Sequence, residues 1–207
     1  MQSLVRLLVP VLLAFASIAS AQVKVGLMVS ATGPTTAIGI PQKNTGELLP
    51  KKIGDATVEY IQLDDGGDTT RAVQNIKKLI QENNIDAMIG PSTTPNALAI
   101  LDIIADAKVP VMATVGTSSV VEPLDAKKRW VFKTTQNDDL IASALIKHMA
   151  ANGVKTVGFI GFNDPYGENW YKVFGALAEK AGIKIVANER YARTDQSVTG
   201  QIGRAHV

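Results

Sequence analysis

Between Val23 and Ala187, apolar runs of strand length alternate with segments of helical spacing, and this alternation limits the chain to a narrow set of architectures. Val23–Val29 is a short apolar run, and residues 58–63, 85–89, 109–113 and 130–133 repeat the pattern. Between them the period changes from 2 to 3.6. Asp68 stands where an N-cap belongs, and Ala72, Val73, Ile76, Leu79 and Ile80 then line one helical face. Residues 95–107 give a second such helix, and a weaker one over 41–49 ends at Pro50. A second cycle follows, with a helical stripe over 140–149, a strand over 154–160, a helix over 170–181 and a strand over 183–187. Short strands separated by helices predict parallel sheets with helices on both faces, an α/β fold. Thr134–Asp138 is the expected crossing between two lobes.

The two termini read differently. Residues 1–21 have the form of a secretory signal: Arg6, then an apolar run from Leu7 to Ile18, then Ala19-Ser20-Ala21. As a helix that run would span about 18 Å, short of the roughly 30 Å of a bilayer core. The expected organisation is therefore a signal over 1–21, a first lobe over 22–135 and an incomplete second lobe over 136–201. Residues 202–207 break from the pattern and match one reading frame of a sequencing adapter, so they are expected to lie outside the native text and are set aside with His206.

Composition narrows the chemistry. Lys and Arg number 21 against 19 Asp and Glu, so no basic surface for nucleic acid is expected. With no cysteine, a disulfide framework, a thiolate zinc site and a cysteine nucleophile are all excluded. His148 lies on a helical face with no nucleophile near it in the pattern. The first turn offers Gly33 alone, not Gly-x-Gly-x-x-Gly, and neither a phosphate-binding P-loop nor a Gly-x-Ser-x-Gly elbow occurs. Asp64 and Asp65 are then expected to cap or line a loop. The sequence calls for no catalytic residue, cofactor or metal.

In open parallel sheets ligands bind beyond the carboxyl ends of the strands, so the loops there carry the functional reading. After the third strand, Ser92, Thr93 and Thr94 surround a helix start, with Thr94 expected as N-cap and Pro95 as the first helical residue. Three hydroxyls at free backbone N–H groups make an anion receptor sized for a carboxylate. The loop Thr114–Ser119 offers Gly116 and Ser118, and the loop Asn163–Glu168 offers the ring and hydroxyl of Tyr166.

Several segments together resemble the substrate-binding proteins of branched-chain amino-acid ABC importers, which have the two-lobed type I periplasmic binding fold. They are Val23–Gly26 with Ser30–Pro34; Asp64-Asp65 with Asp68 and Ala72-Val73; Ile89–Thr94; Val109–Val111; and Asn163-Asp164 with Tyr166-Gly167. The resemblance runs from Gln22 to Gln201. It implies that Ser92, Thr93 and Thr94 hold the carboxylate of a small ligand. Gly116 and Ser118 would offer a carbonyl and a hydroxyl to its ammonium, and Tyr166 would close over it from the second lobe. Ile38 falls where some leucine-binding members carry a tryptophan. The acid facing the ammonium would come from later in the second lobe. The implied role is a periplasmic protein that captures an amino acid or related small carboxylate and delivers it to a membrane permease. A sensor domain of the same fold and an exported α/β enzyme are the alternatives.

Overall fold

The computed structural model describes residues 22–205; the expected signal over 1–21 and residues 206–207 lie outside them. Eight strands are β1 (Gln22–Val29), β2 (Lys52–Ile53), β3 (Ala56–Asp64), β4 (Ala87–Ile89), β5 (Val111–Ala113), β6 (Val131–Lys133), β7 (Thr156–Phe162) and β8 (Lys184–Tyr191). The helices are α1 (Thr36–Glu47), α2 (Thr69–Gln81), α3 (Thr94–Ala99), α4 (Leu101–Ala107), α5 (Asp138–Ala151), α6 (Pro165–Lys180) and α7 (Thr199–Ala205). Strands β1 to β6 form one sheet in the order β2-β3-β1-β4-β5-β6, and β7 and β8 pair in a second. All pairings are parallel except β2 with β3. The α/β architecture with parallel sheets and flanking helices is as the alternation predicts.

The core of the first lobe lies between its sheet and helices α2, α3 and α4. Met28 and Met88 come from the strands, Ile76 and Leu79 from α2, Ile100 from the break between α3 and α4, and Ile104 from α4. Each is essentially inaccessible to solvent, and burying one such side chain contributes roughly 1.5–3 kcal/mol. Asp68 caps α2 as expected, its carboxylate accepting from the Arg71 N–H at 2.7 Å. In the second lobe Ile146, Phe174, Ala178 and Ile183 form a smaller core.

Several boundaries differ from the sequence reading. Helix α1 begins at Thr36 and contains Pro41. The single helix expected over 95–107 breaks at Ile100 into α3 and α4. Helix α6 begins at Pro165, five residues before the expected start, because Asp164 caps it with bonds from the Tyr166 and Gly167 N–H groups. Helix α7 includes residues 202–205 of the segment set aside, and packs on β8 and β7.

Candidate functional site

The strand order fixes where a site can form. From β1 the chain moves to β3 on one side, and from β3 it crosses back to β4 on the other. The loops leaving β1 and β4 therefore diverge, opening a crevice at their carboxyl ends. Gly90 follows β4 with φ +108, and a Cβ there would stand 2.1 Å from the Met28 carbonyl oxygen, so only glycine lets this loop leave the sheet so close to β1.

A chain of hydrogen bonds builds the crevice floor. The buried Asp65 accepts from the Ser30 hydroxyl at 2.6 Å and the Gly67 N–H at 2.8 Å. Ser30 donates its N–H to the Ser92 hydroxyl at 3.0 Å, and Ser92 donates in turn to the Gln42 side-chain carbonyl. Gln42 donates to the Thr114 hydroxyl at 3.2 Å, and Thr114 to the Pro91 carbonyl at 2.9 Å. One connected path thus ties the ends of β3, β1, β4 and β5 to α1. Asp64 holds the Ala31–Thr32 turn from beneath. Burial alone would raise its carboxyl pKa, but hydrogen bonds from Thr32, Gly66 and Ala31 outweigh that and leave it below the usual range. Both aspartates line a loop, as expected.

The three hydroxyls at the α3 start divide into two kinds. The Ser92 hydroxyl spends its one hydrogen on Gln42, so it braces the loop. Thr93 and Thr94 are 4% and 2% exposed, and neither hydroxyl has a partner among the described residues. The side-chain amide of Asn96, wholly buried, is likewise unpartnered. Thr93 is the N-cap and Thr94 the first helical residue, one position earlier than expected, and no side chain closes the cap. Helix α3 touches both the Ser118–Val120 turn and α6 of the second lobe, so elements from both lobes meet at this helix.

Ser118 belongs to the turn that α3 touches, and the Gly116 carbonyl is already engaged. It accepts from the Lys133 ammonium at 2.5 Å and the Asp138 N–H at 3.2 Å. The ammonium it meets here is the protein's own, that of Lys133. A Cβ at Gly116 would fall 2.4 Å from the Asp138 carboxylate, so glycine is required where the crossing folds against the β5 loop. Ser118 heads the turn, which Thr117 caps by accepting from the Ser119 N–H at 3.2 Å. Tyr166 lies in the first turn of α6, where burial pushes its phenol pKa up, with a smaller opposing pull from the neighbouring Trp170 side chain. Ile38, in the first turn of α1, is 47% exposed and outside the shielded group.

Four residues of this region escaped the sequence reading. Gln42 sits in a helix too weakly patterned to mark it. Asp138, 2% exposed, reads in sequence as ordinary acidic charge at a helix start. Burial raises its carboxyl pKa, opposed by the Asn169 amide at 2.8 Å and by Lys133. Asn96 carries a signal only in being polar where its helix faces inward. Arg193 pairs with Asp164 at 2.6 Å and lies over the Phe162 ring at 4.1 Å, a contact across 29 residues that no local pattern announces.

A family model described as periplasmic binding protein matches residues 22–207. The chain belongs to the periplasmic binding protein family. An extracellular ligand-binding receptor from Rhodopseudomonas palustris HaA2 has 46% identity and a TM-score of 0.86, over 89% of this chain and 51% of that one. A Leu/Ile/Val-binding protein of Rhizobium johnstonii is 28% identical over 89% of this chain and 51% of its own length. A solute-binding protein of an ABC transporter from Rhodopseudomonas palustris BisB5, in complex with 3,4-dihydroxybenzoic acid, shares the fold at 22% identity and a TM-score of 0.80, with 88% of this chain and 51% of that one covered. The chain spans about half the length of these relatives.

Proposed function

We propose that the chain is part of an extracytoplasmic solute-binding protein that encloses a small carboxylate between two lobes and delivers it to a membrane ABC permease. The ligand class is an amino acid of the branched-chain kind or a related small acid. Family membership supports capture without turnover, and the family's periplasmic character supports the location.

One observation carries the reading of the site: the adjacent Thr93 and Thr94 hydroxyls, buried without a partner at the switch point of the sheet. Leaving a buried hydroxyl unpaired costs about 1–3 kcal/mol. A carboxylate seated there accepts from both and removes the cost. It also lies at backbone N–H groups that open the helix and have no intrahelical partner. Ser92, Gln42 and Asp65 hold the floor in place. Ser118 and Tyr166 form the rim, and Ile38 lies at the outer edge. Because the hydroxyls are shut off from solvent, the lobes must part before a ligand enters and close again around it.

Thermal unfolding of the full-length protein in the presence of leucine, isoleucine, valine and a set of small carboxylates tests this. A ligand at a hundred times its Kd should add about 2.7 kcal/mol of stability. Unchanged unfolding with every acid would contradict the reading, and chemical conversion of a stabilising acid would point to an enzyme.

A further inference from the structure

The chain leaves the first sheet at β6, and the first residue of the helix that follows, Asp138, is a carboxylate only 2% exposed. Its two oxygens face different lobes. Oδ2 accepts from the Asn169 side-chain amide at 2.8 Å, on α6 of the second lobe. Oδ1 lies against Gly116 in the loop after β5 of the first lobe, nearer than any Cβ there would allow. The Asp138 N–H donates to the Gly116 carbonyl at 3.2 Å, so the same residue joins the two lobes through its backbone. Parting the lobes lifts the β5 loop from Oδ1, whereas α5 and α6 pack on each other and move together.

A carboxylate shut away from water stays ionised only with a cation or several donors beside it. Asp138 has the one donor from Asn169. Lys133, at the end of β6, gives its ammonium to the Gly116 carbonyl at 2.5 Å and the Asn137 side-chain oxygen at 2.6 Å, and makes no ion pair with Asp138 among the described residues. Burial raises the Asp138 carboxyl pKa and outweighs the opposing pull of Asn169 and Lys133, while Asp139, beside it on α5, adds repulsion. From α6 the Tyr166 phenol faces the same carboxylate, and Glu122, after the β5 loop, acts on Lys133 from its other side. Once the β5 loop moves off, water reaches Oδ1 and the cost of the charge falls.

We propose that Asp138 is a proton-linked latch between the lobes: the closed form holds it as the neutral acid between Gly116 and Asn169, and its ionisation favours parting of the lobes and release of the solute. This rests on the reading that the lobes part to admit a solute and close around it. The closed form binds the proton more tightly than the open one, so closing takes a proton from solvent and acid favours closure. That preference is full below the ordinary carboxylate range and is lost as pH rises through the raised value. A solute that selects the closed form therefore binds more tightly in acid, and by reciprocity its binding draws in protons.

The test uses the full-length protein, unliganded and with leucine and benzoate as probes, at about pH 5 and about pH 8, where both probes keep an ionised carboxylate. Small-angle scattering from the unliganded protein should give a smaller radius of gyration at the lower pH, and Asp138→Asn should stay compact at both. By calorimetry a probe that binds should bind at least about threefold more tightly at the lower pH, with net proton uptake read from two buffers of different ionisation enthalpy. In Asp138→Asn its affinity should stay within about twofold across the range and the proton uptake should vanish. If that variant fails to fold, Asn169→Ala decides: it removes the donor that favours the charged acid, so the pH at which the radius changes should move upward. A wild-type radius that ignores pH would overturn the latch. So would a response retained in Asp138→Asn, which would belong to another group such as His148 in the last turn of α5, or an unmoved midpoint in Asn169→Ala. A radius that shifts as expected, with neither probe binding in calorimetry or thermal unfolding, would leave the latch standing and count against the solute reading.

Discussion

Buried hydroxyls without partners are rare in native proteins, and Thr93 and Thr94 place two side by side with no partner among the described residues. The physical consequence separates a binding group from a packing one. Thr94→Val keeps the shape and removes the unpaired hydroxyl, so the ligand-free protein should gain about 1 kcal/mol in denaturant unfolding. The same change should weaken binding of the stabilising acid by roughly 1–3 kcal/mol, read by calorimetry. Both quantities moving in the same direction would argue that Thr94 has an unseen structural partner. Asp138 gives a second prediction at this scale. Its buried carboxyl holds a proton to higher pH than it would in the unfolded chain. The folded state therefore binds the extra proton between the ordinary carboxylate range and the raised value. Stability falls as pH rises through that window and stays lowered above it. Asp138→Asn should accordingly raise the unfolding temperature at neutral pH, with the gain disappearing in acid; a loss at neutral pH would mean that the charge itself is needed by Lys133.

Among the elements, the strands were legible because buried parallel strands are continuous apolar runs, and α2 because Asp68 and a clean 3.6-residue stripe agree. Helix α1 was legible only from Pro41 onward, and Pro41 inside a helix costs about 3 kcal/mol. What overrides this is contact: Gly39 presses on the end of β1, where a Cβ would fall 1.9 Å from the Ser30 carbonyl oxygen. No local pattern encodes that approach. The early start of α6 was legible and was missed: Asp164-Pro165 is an N-cap followed by proline at the first helical position, but the apolar stripe begins later, near Trp170. The grouping of the three hydroxyls at the start of α3 was readable from its place after a strand. The division of labour within it was not, because the partner that occupies Ser92 comes from α1, 50 residues away. Gln42→Leu should therefore loosen the loop. We expect about 1 kcal/mol lower stability and a several-fold weaker grip on the proposed acid, transmitted through Ser92. Unaltered affinity in this variant would detach α1 from the site.

Among the described residues, one face of the six-stranded sheet is open. Register places Val25 beside Tyr60 and Ala87, and Met112 beside Ile89 and Phe132. A groove of about 450 Å³ runs over this face, with Met112 39% and Phe132 54% exposed. Parallel sheets are ordinarily covered on both sides, and an apolar face of this kind promotes association. The polypeptide from Gln22 to Val207 should self-associate in sedimentation experiments, and Met112→Lys with Phe132→Lys should shift it toward monomer. A wild-type polypeptide that stays monomeric would show that the face is tolerated. None of this bears on the proposed carboxylate site at Thr93 and Thr94, which do not line that groove. The direct measurement there is calorimetric titration of the full-length protein with its best stabilising acid and with the matching primary amide. An anion site built from hydroxyls and backbone N–H groups should bind the acid at least about a hundredfold more tightly, the loss of a charge-assisted pair of hydrogen bonds. Equal affinity for acid and amide would contradict it.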